Sequence, residues 1–438
     1  MQKDIFMQKM NVNIPKTNQK RVVIIGCGFA GLKIAKTLSR KKNLQIVILD
    51  KNNYHQFQPL FYQVATAGLE PSAISFPLRK LFQHQKNIHI RVTEVLSVNS
   101  EQNFVNTSVG EISYDFLIIS TGTDTNFFGM KNIQANALSM KSVSEAMFIR
   151  NTILQNYEDA VSETDLDIRK GLMNIVIVGG GPAGVEVAGT LAEMRRSVLP
   201  KDYPTLNFDE MNIFILEAAD KLLRTMSENS SKKSQHYLEK MGVKVMLLTQ
   251  VKDYDNNYVI MSDGSKIRTR TLIWTAGVKA FPIEGLQTEA IGAGGRLKVD
   301  RQNRILGYQN IFAVGDVALM QEEKFQNGHP QVAQVAIQQG KNVAENIIKT
   351  IAQKETKNFT YNDLGAMAFI GRNFAVVDLP FLKFSGFLAW LFWMFLHLMA
   401  IVGFKNRLMV FINWSWNYIT YDQSLRLIFN HKPRKNKE

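Results

Sequence analysis

Arg21-Val-Val-Ile-Ile-Gly-Cys-Gly-Phe-Ala-Gly-Leu-Lys-Ile-Ala-Lys-Thr-Leu38 is the stretch that decides the fold. Its first five residues are an apolar run suited to a fully buried strand. Three glycines follow, each with its own physical task. Gly26 permits a tight turn, Gly28 lets the backbone approach a pyrophosphate, and Gly31 lets a helix pack close to the strand. The residues from Leu32 to Leu38 have helical spacing, and the free N–H groups at the helix start favour a phosphate. A second apolar strand, Gln45-Ile-Val-Ile-Leu49, ends at Asp50. An acid in that position accepts hydrogen bonds from a ribose.

The same pattern returns 153 residues later, counted from Gly26 to Gly179. Asn174-Ile-Val-Ile-Val178 runs into Gly179-Gly180-Gly181-Pro182-Ala183-Gly184 and a helical stretch. Its second strand, Asn212-Ile-Phe-Ile-Leu216, ends at Glu217, after a segment Ser197–Met211 that reads as an insertion. Glu217 would bond the adenosine ribose hydroxyls and repel a 2′-phosphate, so NADH is expected over NADPH. Two cradles imply two dinucleotides. Hydride transfer between a nicotinamide and a flavin is the reaction that uses such a pair. The fold class expected is α/β, with two Rossmann-like dinucleotide-binding domains and a C-terminal membrane-anchoring helical region.

Composition sets the outer bounds. The 438 residues suffice for two or three domains, and 45% hydrophobic with 21% charged residues marks a globular chain. One cysteine, Cys27, leaves no disulfide, no CxxC pair and no multi-thiolate metal site. We expect Cys27 to be a small filler residue and no metal to be bound. Fifty-two Lys and Arg against 38 Asp and Glu give a net charge of +14, suited to an anionic partner or to an ordinary basic surface. Residues 1–20 carry no apolar core of a secretory signal.

The far end is apolar. Phe384 to Phe404 form 21 residues without a formal charge, long enough as one helix to cross a bilayer. Four of the five tryptophans lie nearby: Trp390, Trp393, Trp414 and Trp416. Trp favours the lipid headgroup level. A single crossing would place Arg426, Lys432, Arg434, Lys435 and Lys437 on the side opposite the main body, against the positive-inside bias for a cytoplasmic body. The expectation is therefore an anchor lying in the membrane interface, with basic residues against anionic lipid. A buried pair of core helices is the alternative.

With these motifs in place, the chain resembles the two-dinucleotide flavoprotein reductases. Supporting segments are Tyr114-Asp-Phe-Leu-Ile-Ile-Ser-Thr-Gly122, its echo Leu272-Ile-Trp-Thr-Ala-Gly277, and Ile311-Phe-Ala-Val-Gly-Asp316. Within that superfamily it is most similar to the type II NADH dehydrogenases. Asp50-Lys-Asn-Asn-Tyr-His-Gln-Phe-Gln-Pro-Leu-Phe-Tyr-Gln-Val-Ala-Thr-Ala-Gly68, Ala333-Gln-Val-Ala-Ile-Gln-Gln339 and Gly365-Ala-Met-Ala-Phe-Ile-Gly-Arg372 carry that resemblance. It implies FAD in the first cradle, NADH in the second, a membrane quinone as acceptor, a homodimer and no proton pumping. A soluble electron-carrier protein as acceptor, or a low-turnover NADH-sensing flavoprotein, are the competing readings. No nucleic-acid partner is expected.

The resemblance implies an FAD domain of residues 20–125 and 290–365. An inserted NADH domain (126–289) and a C-terminal anchor and dimer region (366–438) complete the chain. Gly26, Gly28, Gly31, Asp50, Lys51, Thr121, Gly122, Gly315 and Asp316 are the expected FAD residues. Gly179, Gly181, Gly184, Glu217 and Gly277 are those for NADH. Gln334 and Gln338, four apart and so on one helix face, would donate to the quinone carbonyls. Glu186, in the first turn of the second cradle helix, is the expected acid near nicotinamide and flavin, relaying protons or tuning hydride transfer. Thr190 stands where many members carry a second acid. The implied location is peripheral, on the cytoplasmic face of the cell membrane.

Overall fold

A computed structural model of the chain describes residues 12–281, 283–423 and 425–429. The segment 1–20 is thus described only from residue 12, and Lys432, Arg434, Lys435 and Lys437 lie outside the described residues. The chain divides into two compact units, the first built from 1–55, 76–124 and 278–363, the second from 56–75, 125–277 and 364–438.

The chain opens with β1 (Lys20–Ile25), α1 (Phe29–Leu38) and β2 (Leu44–Asp50), then passes α2 (Phe61–Ala65), β3 (Ile88–Val92) and β4 (Phe116–Ile119). Next come β5 (Leu138–Ser139), α3 (Val143–Ser162), β6 (Ile175–Val178), α4 (Pro182–Ser197) and β7 (Ile213–Leu216). Then follow α5 (Glu228–Lys240), β8 (Val243–Met246), β9 (Thr271–Trp274), β10 (Ile311–Ala313) and α6 (Ala333–Ile351). The C-terminal part holds β11 (Ala366–Gly371), β12 (Phe374–Asp378), β13 (Lys383–Ser385), α7 (Phe387–Ala400) and α8 (Phe404–Thr420).

Each unit contains a five-stranded parallel sheet. In the first the order is β10-β4-β1-β2-β3, and in the second β5-β9-β6-β7-β8. Val22, Val23 and Ile24 of β1 and Val176 and Ile177 of β6 have no exposed surface, as continuous apolar runs in a doubly covered parallel sheet require. In each unit the strand order reverses at the first cradle strand. That places a crevice at the carboxyl ends of the central strands, where ligands of such sheets bind.

The C-terminal region arranges its apolar residues in two short helices. The 21-residue uncharged stretch is not one helix: α7 has 14 residues, and the chain turns at Gly403 (φ 87°) before α8. No helix among the described residues is long and apolar enough to cross a membrane. Three of the four C-terminal tryptophans face inward, not toward lipid. Trp390, Trp393 and Trp414 are buried, and only Trp416 is exposed. The outer faces of both helices are nonetheless apolar, with Leu388, Phe395, Phe411 and Ile419 among the exposed residues.

Candidate functional site

In the first unit the expected cofactor residues gather at the carboxyl edge of the sheet. Gly26 follows β1 at φ 87°, a conformation open to glycine, and a Cβ there would meet Ser120 O at 2.6 Å. A Cβ on Gly31 would overlap Gly26 O, so the strand–helix approach depends on that glycine. Gly28 caps α1 without a side-chain hydrogen bond, and nothing lies within 4 Å of where its Cβ would be. Free helix-start N–H groups facing open space fit a pyrophosphate.

Asp50 closes the turn. Its Oδ2 accepts from Cys27 N at 2.6 Å and its Oδ1 from Asn52 N at 2.7 Å. Burial raises its carboxyl above the usual range, only partly offset by these bonds. Thr121 and Gly122 follow β4 at the same edge, and Gly122 (φ 70°) has open space beside it. Gly315 and Asp316 follow β10. Gly315 N donates to Gln339 Oε1 at 2.7 Å, and Thr123 Oγ1 donates to Asp316 Oδ2 at 3.3 Å. These residues fit the FAD expected here: an open, donor-rich cradle with an acid on either side.

Three residues have their side chains taken up by the chain itself. Lys51 points to the surface, where Nζ pairs with Glu94 at 2.7 Å. Cys27 is buried and its thiol is pushed far up by burial, which removes the reactive thiolate. Gln338 ties α6 to the following segment: Nε2 donates to Asn362 O at 2.9 Å, and Oε1 accepts from Asn362 N at 3.0 Å. Gln334 is half-buried one turn earlier, and Ile337 is exposed between them.

The second unit repeats the cradle bond for bond. Gly180 N donates to Glu217 Oε2 at 2.6 Å and Ala219 N to Oε1 at 2.8 Å, matching the two bonds to Asp50. A Cβ on Gly184 would overlap Gly179 O. Gly181 caps α4 with open space around it. Gly277, in the loop after β9, lies against the Phe128 ring, 2.7 Å from where a Cβ would sit. The sequence reading missed one shared element, a hydroxyl pinning each cradle turn. Ser120 Oγ donates to Ile25 O at 2.9 Å and Gly26 O at 2.7 Å; Thr275 Oγ1 donates to Val178 O at 2.8 Å. The signal was available, since both hydroxyls stand two residues before the echoed Gly122 and Gly277.

Glu186 is more than a helix-start acid. It is 8% exposed, and its Oε1 accepts from Phe369 N on β11 at 3.4 Å. Two turns on, Glu193 accepts from Arg372 N. Between them a Cβ on Gly189 would overlap Ile370 O. Helix α4 thus lies along the edge of β11, and its two carboxyl side chains accept from Phe369 N on that edge strand and from Arg372 N in the turn just past it. Burial pushes Glu186 up to about 8 and Glu193 up to about 7, against the opposing pull of those bonds. Tyr62, stacked on Phe369 at 5.7 Å between centroids, is raised by burial and by both acids. Thr190 Oγ1 donates to Glu186 O at 2.8 Å. The next acid on this helix after Thr190 is Glu193, three residues along.

Comparison with known proteins accords with this geometry. Residues 20–340 match the family described as pyridine nucleotide-disulphide oxidoreductase, and residues 364–420 match the NDH2 C-terminal domain. The chain is 34% identical to the type II NADH:quinone oxidoreductase Ndh of Mycobacterium tuberculosis, over 91% of this chain and 88% of that protein. It is 35% identical to NdhA of the same organism, over 91% and 87%. The solved structure of NDH2 from Plasmodium falciparum in complex with NADH shares the fold at a TM-score of 0.85 and 20% identity, covering 94% of this chain and all of that one.

Proposed function

Since the chain belongs to the type II NADH:quinone oxidoreductases, passing electrons from NADH through FAD to a quinone, we propose how its own residues divide that work. The observation that carries the proposal is the duplicated cradle: two parallel sheets in which four of the five strands run in the same order, each with an acid bonded to its glycine turn.

FAD, when bound, supplies the chemistry that accepts a hydride and releases two electrons. Gly26, Gly28 and Gly31 with Asp50, Thr121, Gly122, Gly315 and Asp316 hold it in residues 20–125 and 290–365. Lys51 belongs at the rim of that site, where its pairing with Glu94 keeps it on the surface. Gly179, Gly181, Gly184, Glu217 and Gly277 hold NADH in residues 126–289. Asp50 and Glu217 keep their carboxylates on the turn and leave lone pairs for ribose hydroxyls. Glu186 stores a proton, because an acid titrating near 8 carries one at neutral pH and releases it readily. Gln334 and Gln338 donate amide N–H groups to the quinone oxygens, with Gln338 also fixing Asn362.

Residues 366–438 provide membrane contact and the homodimer surface. The apolar outer faces of α7 and α8 support an interfacial, peripheral placement on the cytoplasmic leaflet, where anionic lipid matches the net charge of +14. Deleting these helices is a poor test, since Trp393 and Trp414 would leave the core. The combined substitution Phe395→Glu and Phe411→Glu changes only exposed positions. It should cut flotation with anionic vesicles at least tenfold, with flavin content unchanged. Undiminished flotation would place membrane contact elsewhere.

A further inference from the structure

The second unit carries a half-open cavity of about 440 Å³, in the size range that holds small ligands. Its wall is largely apolar, with Trp390, Trp393 and Trp414 on one side. Two lining residues carry buried polar atoms without a hydrogen-bond partner among the described residues, Trp393 Nε1 and Gln423 Oε1. Such orphans are uncommon in a closed core and suggest an occupant or water.

The charges around this cavity are lopsided. Arg372 is engaged: its guanidinium donates to Tyr418 O and stacks over the Tyr418 and Tyr421 rings at 4.1 and 3.6 Å. Arg196 and Lys240 also line the cavity and are exposed; neither has a carboxylate within 4 Å among the described residues, Lys240 Nζ lies over the Phe374 ring at 5.8 Å, and Arg196 acts on Glu193 only at longer range. The one acid in the wall, Glu193, is held by Arg372 N and partly neutral at pH 7. Two cations without an ion pair beside an aromatic, apolar hollow are complementary to an anion that carries a hydrocarbon chain. A neutral quinone would leave both cations unused, and free phosphate would leave the tryptophans unused.

We propose that this cavity seats one anionic phospholipid, with an acyl chain against Trp390, Trp393 and Trp414 and its phosphate against Arg196 and Lys240. The proposal extends the membrane-contact reading above, turning a general attraction to anionic lipid into a defined site.

The test uses the full-length, FAD-loaded protein, delipidated in detergent and mixed with phosphatidylglycerol or phosphatidylcholine micelles. Native mass spectrometry then counts the lipids retained. The expected result is one phosphatidylglycerol per chain, with phosphatidylcholine at least tenfold weaker. The double substitution Arg196→Gln and Lys240→Gln should weaken phosphatidylglycerol retention about thirtyfold while flavin stays bound. Equal retention of both lipids, or retention unchanged by the double substitution, would overturn the site. So would one-for-one displacement by inorganic phosphate or by a long-tailed quinone. Vesicle flotation is a separate arm: a protein that retains one phosphatidylglycerol from micelles but does not float upholds the site and removes the membrane-contact reading.

Discussion

The two cradles are alike where a phosphate would lie and unlike where their helices are covered. In the first unit α1 packs against α6, close enough that a Cβ on Gly340 would come within 2.8 Å of Ala30 O. In the second, α4 packs against the edge of β11, and the contact ties down Glu186, which is buried, and Glu193, which is half-buried. The phosphate-binding part is fixed by glycine sterics and helix-start N–H groups, so it repeats. Helix α1 carries no acid, whereas burial raises Glu186 and Glu193 on α4 to about 8 and about 7. The cradle is copied between the units; the pair of acids bonded to a covering strand belongs to one of them.

The largest expected effect separates the cradles from each other. Gly31→Val should release flavin on gel filtration, because the side chain would overlap Gly26 O. Gly184→Val should keep the flavin and weaken NADH binding by on the order of 3 kcal/mol, about a hundredfold. Loss of flavin from Gly184→Val as well would show that the cradles are not separable.

The contrast in buried acids predicts a pH effect next in size. Glu186 and Glu193 hold protons in the folded chain that they lose near 4.5 when unfolded, so raising the pH favours unfolding. Stability should therefore fall between about pH 4.5 and 8, by on the order of 1 kcal/mol or more per acid. Glu186→Gln and Glu193→Gln should each flatten that slope in thermal melts at pH 5 and pH 8. An unchanged slope would mean that the acids are hydrated rather than enclosed.

A smaller effect separates the two ribose acids. Glu217→Gln should reduce discrimination against NADPH by about tenfold, measured as a ratio of kcat/KM values. Asp50→Asn should leave that ratio alone. A matching change in both would erase the distinction between the sites.

The cradles were legible in the sequence because each depends on residues within about 40 positions: strand, glycines, helix, strand and acid. Asp50 and Glu217 each stand at the end of the second strand, as read. Glu193 was not legible, since its burial depends on β11, some 180 residues further on. Spacing puts Gln334 and Gln338 on one helix face and the resemblance assigns them to the quinone; neither reveals the pairing of Gln338 with Asn362. The uncharged C-terminal run was read by hydropathy, which does not register a backbone turn at Gly403 or the inward tryptophans.

The most direct test of the central claim, that one cradle holds the flavin and the other the reductant, is the absorption spectrum of the purified full-length protein. The account predicts a yellow protein whose colour bleaches on NADH addition and returns on adding a short-tailed quinone, with Gly184→Val yellow but slow to bleach. A colourless protein that stays colourless when supplied with FAD would contradict it.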